Sequence, residues 1–454
     1  MIKQVYQDKI SFYEKNLSLL KSKDLRFSFF RFLFIILAGL CFYLYLDLKE
    51  NLFLYTSILL LLIFVQALLK HLVLRKEIKR TRAYIKLNKE ELDYQNSIAY
   101  PNNEGNEFKD PEHIFANDLD LFGSNSLFQH LNRSSTLKGR KLIADRLKEN
   151  INSNDIDKNQ KAVQDLSGKL DWRQKFRVIG LGQKEEAEVE SQLKYWLRNS
   201  KAKAPISSPF LLIPIALIGI GLLINWLIFP SLNNFNWFSY AFGINLLLVF
   251  SQFKTIKNEY SDLSGISKSL AAYSELLELI ESEDFESELL LDLKAKTQTK
   301  KGKASSSLKE LSKILDGFDQ LNNVLALILT NGLYHFHLHS LRKLFNWKSK
   351  NEKAIFEWLD ALAEFDYQAS LGNFNYNHPE YNFPIPLEKE GFSAENVGHP
   401  LLKAGKRIDN SINFDNFQYV LLTGSNMSGK STFLRTLGLN LVLMKMGAPV
   451  CASS

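Results

Sequence analysis

The run Gly424-Ser425-Asn426-Met427-Ser428-Gly429-Lys430-Ser431 satisfies the spacing G-x-x-x-x-G-K-[ST] in full. Glycines at the two fixed positions let the backbone fold tightly, so that its N–H groups surround phosphates at a helix N-terminus, where the macrodipole favours anions. Lys430 is expected to reach the β- and γ-phosphates and the Ser431 hydroxyl to hold Mg²⁺, with Thr432 next in line. ATP with Mg²⁺ is the cofactor pair this spacing calls for. A purely structural glycine-rich turn is the competing reading, and the flanking sequence argues against it. Gln418–Thr423 is a short apolar strand candidate that runs straight into the loop. Thr432–Met446 then repeats apolar residues at Phe433, Leu434, Leu437, Leu441 and Met444, as a helix would. Hydrolysis further requires an acidic strand end downstream to position Mg²⁺ and water. No residues follow Ser454 to supply one, so no catalytic residue is expected within this chain.

The elements that must position this loop occupy most of a 454-residue sequence that is 46% hydrophobic and 23% charged, enough for two or three domains of ordinary globular balance. A formal net charge of +7 suits anionic partners, either nucleic acid or the inner face of a membrane. Cys41 lies in an apolar run and Cys451 near the end, a pattern that indicates neither a disulfide framework nor a Cys-based metal site.

Four apolar runs come in two pairs. Phe32–Leu46 and Leu52–Leu69 flank the polar stretch Asp47–Asn51, and since a span needs about twenty residues the first run must borrow Leu25–Ser28 and let Arg31 snorkel. Lys21, Lys23 and Arg26 precede the pair; Lys70, Arg75, Lys76, Lys79 and Arg80 follow it. The positive-inside rule then places both ends in the cytoplasm and Lys49 outside. The second pair, Pro209–Phe229 and Phe235–Phe253, repeats this logic between Arg198, Lys201 and Lys203 on one side and Lys254 and Lys257 on the other. Its asparagines at 225, 236 and 245 leave a buried hairpin inside a soluble domain as the alternative.

The remaining segments read as amphipathic helices over Asp118–Asn199, Leu263–Leu293 and Leu308–Phe365, with an Asn-rich linker at Tyr100–Pro111. A basic, Ser-rich loop is expected at Lys294–Ser307, either solvated or facing nucleic acid. From Tyr376 the texture changes to prolines and short strand-like runs. The expected organisation is an N-terminal helix at 1–26, a first membrane hairpin at 27–74, a linker at 75–117, helical core at 118–200, a second hairpin at 205–253, further core and lever at 254–375, and the beginning of an ATPase domain at 376–454. The fold class is mostly α with a C-terminal α/β P-loop portion.

The run Leu421-Leu422-Thr423-Gly424-Ser425-Asn426-Met427-Ser428-Gly429-Lys430-Ser431-Thr432-Phe433-Leu434-Arg435 resembles the P-loop of the MutS mismatch-repair family, its Asn-Met pair being the distinctive element. His399-Pro400 resembles the family's Arg-His-Pro, with Gly398 in place of the Arg. Asn410 sits where the family has an Asn-Asp step, and Arg407 near its adenine-stacking aromatic. Ser126–Phe128 through Thr136, Gly139, Arg140 and Leu142 is similar to the start of the family's helical core, and Leu359–Ala363 to its last helix. Phe12-Tyr13-Glu14 matches the family's Phe-x-Glu mismatch wedge in letters but has no domain around it, and is read as coincidence.

The resemblance implies an ATPase that forms a homodimer through its ATPase domains, sandwiches ATP, and couples nucleotide state to a clamp on double-stranded DNA. The apolar hairpins add membrane lipid as a partner and place the chain as a multi-pass protein of the cytoplasmic membrane. Two rival readings are an ABC-type transporter ATPase, whose loop would carry Ser-Gly rather than Asn-Met, and a membrane scaffold with a degenerate ATPase.

Overall fold

The computed structural model describes residues 2–97, 100, 103–149, 156–181, 189–199, 209–299, 302–385, 391–403, 405–414, 420–425 and 428–454. They are mostly helical. In chain order the helices are α1 (Ile2–Leu48), α2 (Asn51–Gln95), α3 (Leu127–Leu131), α4 (Leu137–Lys148), α5 (Ile156–Gly168), α6 (Leu170–Leu181), α7 (Val189–Asn199), α8 (Pro209–Ile228) and α9 (Leu232–Ser251). They continue as α10 (Phe253–Ser261), α11 (Ser267–Ser282), α12 (Glu288–Lys296), α13 (Ala304–Phe318), α14 (Val324–Tyr334), α15 (Phe336–Asn351), α16 (Ala354–Asn377) and α17 (Lys430–Lys445). Strands β1 (Gln298–Thr299) and β2 (Gly302–Lys303) pair antiparallel, as do β3 (Ser393–Val397) and β4 (Asn410–Asn413).

Two compact units emerge: one of Met1–Ser135, Ile143–Gly182 and Gln368–Ser454, the other of Thr136–Leu142 and Gln183–Tyr367.

In the first unit, α1 and α2 form a helical hairpin turned at Lys49, whose φ of 55° is left-handed. Ala38 and Ser57 are buried where the helices face each other, and the Ser57 hydroxyl donates to the Ala38 carbonyl at 2.9 Å. Small residues there let the backbones approach. Outward-facing Phe29, Phe32, Leu46, Leu52, Leu62 and Val73 stay exposed. Both helices are long and apolar enough to cross a membrane by length and composition. Where the apolar stretch gives way to charge, His71 bridges the pair, with Nε2 2.6 Å from Asp24 Oδ1 and Nδ1 2.7 Å from Arg31 Nη1. Arg31, expected to snorkel, thus has a partner on the opposite helix.

The helix α2 does not stop with its apolar run but continues to Gln95, through residues expected as linker. That extension is built into the unit by a buried ionic cluster. Glu91 accepts from Arg133 Nε at 2.6 Å, Arg177 Nη1 at 2.9 Å and Asn377 Nδ2 at 2.9 Å, while the Tyr6 hydroxyl donates to Asn377 Oδ1 at 2.8 Å. Burial alone would raise the Glu91 carboxyl; Arg133 and Arg177 beside it outweigh that and hold it down to about 2.

In the second unit, α11 and α13 lie side by side, and the expected loop at Lys294–Ser307 is largely structured. Lys294 and Lys296 close α12, β1 and β2 make a minimal hairpin, and α13 starts at Ala304; residues 300 and 301 lie outside the described residues. Ser305 is held by Glu281, its N–H at 3.0 Å from Oε1, and Lys294 Nζ donates to the Glu283 carbonyl. The helices α8 and α9 pack as a hairpin, and α14, read from sequence as one stretch of an amphipathic region, is an apolar helix packed against both.

Candidate nucleotide-binding site

The loop at 424–431 lies in the first unit and is positioned by α17. That helix starts at Lys430, two residues before the position expected from periodicity. Gly429 immediately before it has a φ of 86°, a left-handed conformation that a side chain would disfavour, and the Phe433 N–H donates back to its carbonyl at 2.8 Å to close the first turn. Of the strand expected at Gln418–Thr423, positions 418 and 419 lie outside the described residues, and Val420–Thr423 pair with no described strand. A strand exists through its neighbours, and Val420 and Leu421 are exposed, 55% and 81%, with no sheet to cover them.

Three side chains fix α17 to its surroundings. Buried Asn440 donates to the Gly398 carbonyl at 3.0 Å and accepts the Cys451 N–H at 2.7 Å, tying the helix both to the end of β3 and to the last residues of the chain. Arg435 donates to the Asp118 carbonyl at 2.7 Å and pairs with Asp120 at 2.7 Å. Lys445 donates to the Leu147 carbonyl at 3.0 Å, where α4 ends. Arg435 therefore links α17 to the segment that precedes α3.

Within the loop, Lys430 Nζ folds back onto the carbonyls of Gly424 and Ser425, each at 2.6 Å, and lies 3.4 Å from Ser428 Oγ. An ammonium donating to loop carbonyls sits over the concavity that phosphate oxygens would fill in its place. Ser431 and Thr432 are exposed at the head of the helix; Asn426 and Met427 lie outside the described residues. The loop opens on a cavity of ≈ 630 Å³, whose walls include Lys430, His399, Leu402, Ile408, Phe433 and Asn410. It combines a cationic, backbone-rich wall with apolar and aromatic surface, the two chemistries that a nucleotide's phosphates and base require. Burial, with Arg435 nearby, holds His399 below the usual imidazole range. Leu402, Ile408 and Phe433 carried no signal as wall residues in the sequence, because each belongs to a different local element.

Arg407, next to Ile408, does not line this cavity. Its guanidinium lies 5.8 Å from the Tyr381 ring and its Nε 3.0 Å from Asp409, and it borders a second cavity of ≈ 520 Å³ with Tyr94, His130 and His378. The Phe12-Tyr13-Glu14 triplet lies on α1, with Phe12 62% exposed, Tyr13 stacked on Tyr84 at 4.6 Å, and Glu14 paired with Lys89 at 2.7 Å.

No family model matches the chain. Curated relatives are DNA mismatch repair proteins MutS. The one from Streptococcus mutans is 35% identical over 103 residues, covering 21% of this chain and 12% of the relative. The Thermotoga maritima protein is 32% identical over 107 residues, 23% of this chain and 13% of the relative. The Wolbachia pipientis protein is 27% identical over 267 residues, 44% of this chain and 30% of the relative. The chain thus spans less than a third of the length of these relatives, and over those stretches it is related to the MutS proteins.

Proposed function

We propose that this chain is a membrane-anchored MutS-type ATP-binding protein, which binds ATP with Mg²⁺ through Gly424–Thr432 and acts on duplex DNA at the cytoplasmic face of a membrane. The observation that carries the reading is the loop itself: Gly429 in the left-handed region, Lys430 opening α17 with its ammonium over the loop carbonyls, and the cavity of ≈ 630 Å³ in front of them. The relatives, named as DNA mismatch repair proteins, support DNA as the partner and mismatch repair as the broad setting. The apolar α1–α2 hairpin supports the anchor, with Lys49 outside and the soluble units in the cytoplasm. Dimerisation through the ATPase domain belongs to the same reading. In it, Lys430 supplies charge to the β- and γ-phosphates, the backbone N–H groups of the loop and first turn of α17 cradle them, and Ser431 holds Mg²⁺.

Calorimetric titration of the full-length protein with a non-hydrolysable ATP analogue and Mg²⁺ tests the assignment. Lys430→Ala is expected to weaken binding by about two orders of magnitude or more, as loss of a charge-assisted contact to phosphate predicts. Unchanged affinity in that variant overturns it.

A further inference from the structure

The helix α14 leaves Val324, Leu325 and Leu329 exposed at 65%, 74% and 55%, and it packs against α8 and α9, where Leu217, Ile218 and Leu247 are exposed at 62%, 60% and 70%. Such a patch on three adjoining helices needs an occupant. The polar groups of α14 indicate which kind. Asn323 caps the helix by accepting the Ala326 N–H at 3.1 Å, the Thr330 hydroxyl donates to the Ala326 carbonyl at 2.6 Å, and Asn331 is buried, donating to the Leu327 carbonyl at 2.7 Å and accepting the His337 N–H at 3.0 Å. The carbonyl of Gly332, in the unsatisfied last turn, accepts from buried Asn245 of α9 at 2.7 Å. The side chains of Asn323, Thr330 and Asn331 are thus engaged with backbone, Asn331 with the His337 ring as well. A protein partner is read through a polar rim around an apolar centre. A hydrocarbon phase offers no hydrogen bonds and demands that a helix satisfy its own backbone.

Depth follows from the same contacts. Asn245 precedes the end of α9 at Ser251 by six residues, about 9 Å at 1.5 Å per residue, so the C-terminal turn of α14 meets α9 well inside its apolar length. That approach depends on Gly332, since a β-carbon there would come within 2.2 Å of the Phe242 ring. Eleven residues extend only about 16 Å, roughly half of a hydrocarbon core. After it, α15 carries Arg342, Lys343, Lys348 and Lys350, which suit anionic headgroups.

We infer that α14 is a half-length membrane helix, docked on the α8–α9 hairpin through Gly332 and Asn245 and facing lipid tails with Val324, Leu325 and Leu329. The inference rests on the reading that α8–α9 itself enters the bilayer, and its test separates the two. The full-length protein, in a Cys41→Ser, Cys451→Ser background, is reconstituted into phosphatidylcholine–phosphatidylglycerol vesicles with a fluorophore on Leu217→Cys, Leu325→Cys or Leu329→Cys. Nitroxide-bearing lipid tails are expected to quench positions 325 and 329 as strongly as 217. Quenching at 217 alone overturns the inference and leaves the hairpin standing; quenching at none overturns both. Shielding of 325 and 329 from lipid-borne and aqueous quenchers alike shows a protein partner on this face, and overturns it as well. Gly332→Leu, which forces α14 away from Phe242, is expected to abolish quenching at 329 while retaining it at 217.

Discussion

In the α1–α2 hairpin the one neutral contact described, Ser57 to the Ala38 carbonyl, lies within the apolar run, and the ionic contacts lie beyond it, at Asp24–His71–Arg31 and then at Glu91 with Arg133, Arg177 and Asn377. In the α8–α9–α14 cluster the polar contact between helices is an amide one, Asn245 to Gly332, set within apolar helices. The difference follows from length. Helices of 47 and 45 residues extend past their apolar stretches, so charge is placed where it is paired and anchors the hairpin to its unit. Helices of 20, 20 and 11 residues have no such extension, and a neutral amide makes the polar contact between them. The sharpest way to break this comparison is to remove the buried carboxylate. Glu91→Ala leaves Arg133 and Arg177 buried without their counter-ion and is expected to cost about 3–5 kcal/mol. Chemical denaturation in detergent, followed by tryptophan emission, measures it; a loss below about 1 kcal/mol would show the cluster to be dispensable.

The same carboxylate sets a pH dependence. The native state keeps Glu91 charged down to about 2, whereas an unfolded glutamate takes up its proton near 4.5. Its contribution is therefore complete above about 4.5 and lost as pH falls towards 2. Glu91→Gln should flatten that part of the stability profile, while Asn245→Ala should leave its slope untouched.

The counterpart on the amide side is smaller. Asn245→Ala removes one hydrogen bond to a last-turn carbonyl of α14, for which about 0.5–1.5 kcal/mol is the ordinary scale. The same denaturation experiment reads it. A loss as large as that of Glu91→Ala would erase the contrast between the two hairpins.

How far these features could be read in advance depends on the distance over which they are encoded. Gly424–Ser431 is contiguous, and its type and spacing specify the loop and the start of α17 almost to the residue. The apolar runs are equally local and gave both hairpins. Glu91, by contrast, looks in sequence like one charge among many on an amphipathic helix; its partners lie 42, 86 and 286 positions away. The strand expected before the loop is not seen over Val420–Thr423, and the reason is related: alternation and apolarity mark a candidate, but only a paired neighbour makes a strand. The helix α14 was hidden inside Leu308–Phe365 because an eleven-residue, mainly apolar stretch is ambiguous by periodicity between a core helix and a membrane one. What separates those readings is the exposure of Leu325, which only packing determines.

The smallest expected effect concerns Phe12, and it bears on what kind of partner the first unit takes. Were Phe12-Tyr13-Glu14 a mismatch wedge, Glu14 would have to be available to a base and Phe12 would need a surrounding surface to seat the duplex. Instead Glu14 is paired with Lys89, Tyr13 is stacked on Tyr84, and Phe12 lies exposed on α1 beside them. These contacts tie the triplet to α2 as part of the hairpin's own packing, and phosphate contacts elsewhere can position DNA without reading its bases. Phe12→Ala is therefore expected to leave duplex affinity within about twofold, on matched and mismatched duplexes alike, a change under about 0.5 kcal/mol. Stability should shift by no more than about 0.5 kcal/mol, as for other exposed positions. Fluorescence anisotropy at fixed salt on the two duplexes makes the measurement. A preference of about tenfold for the mismatch that disappears in Phe12→Ala would mean that α1 reads DNA, and that the stacked and paired state of Tyr13 and Glu14 is opened on binding.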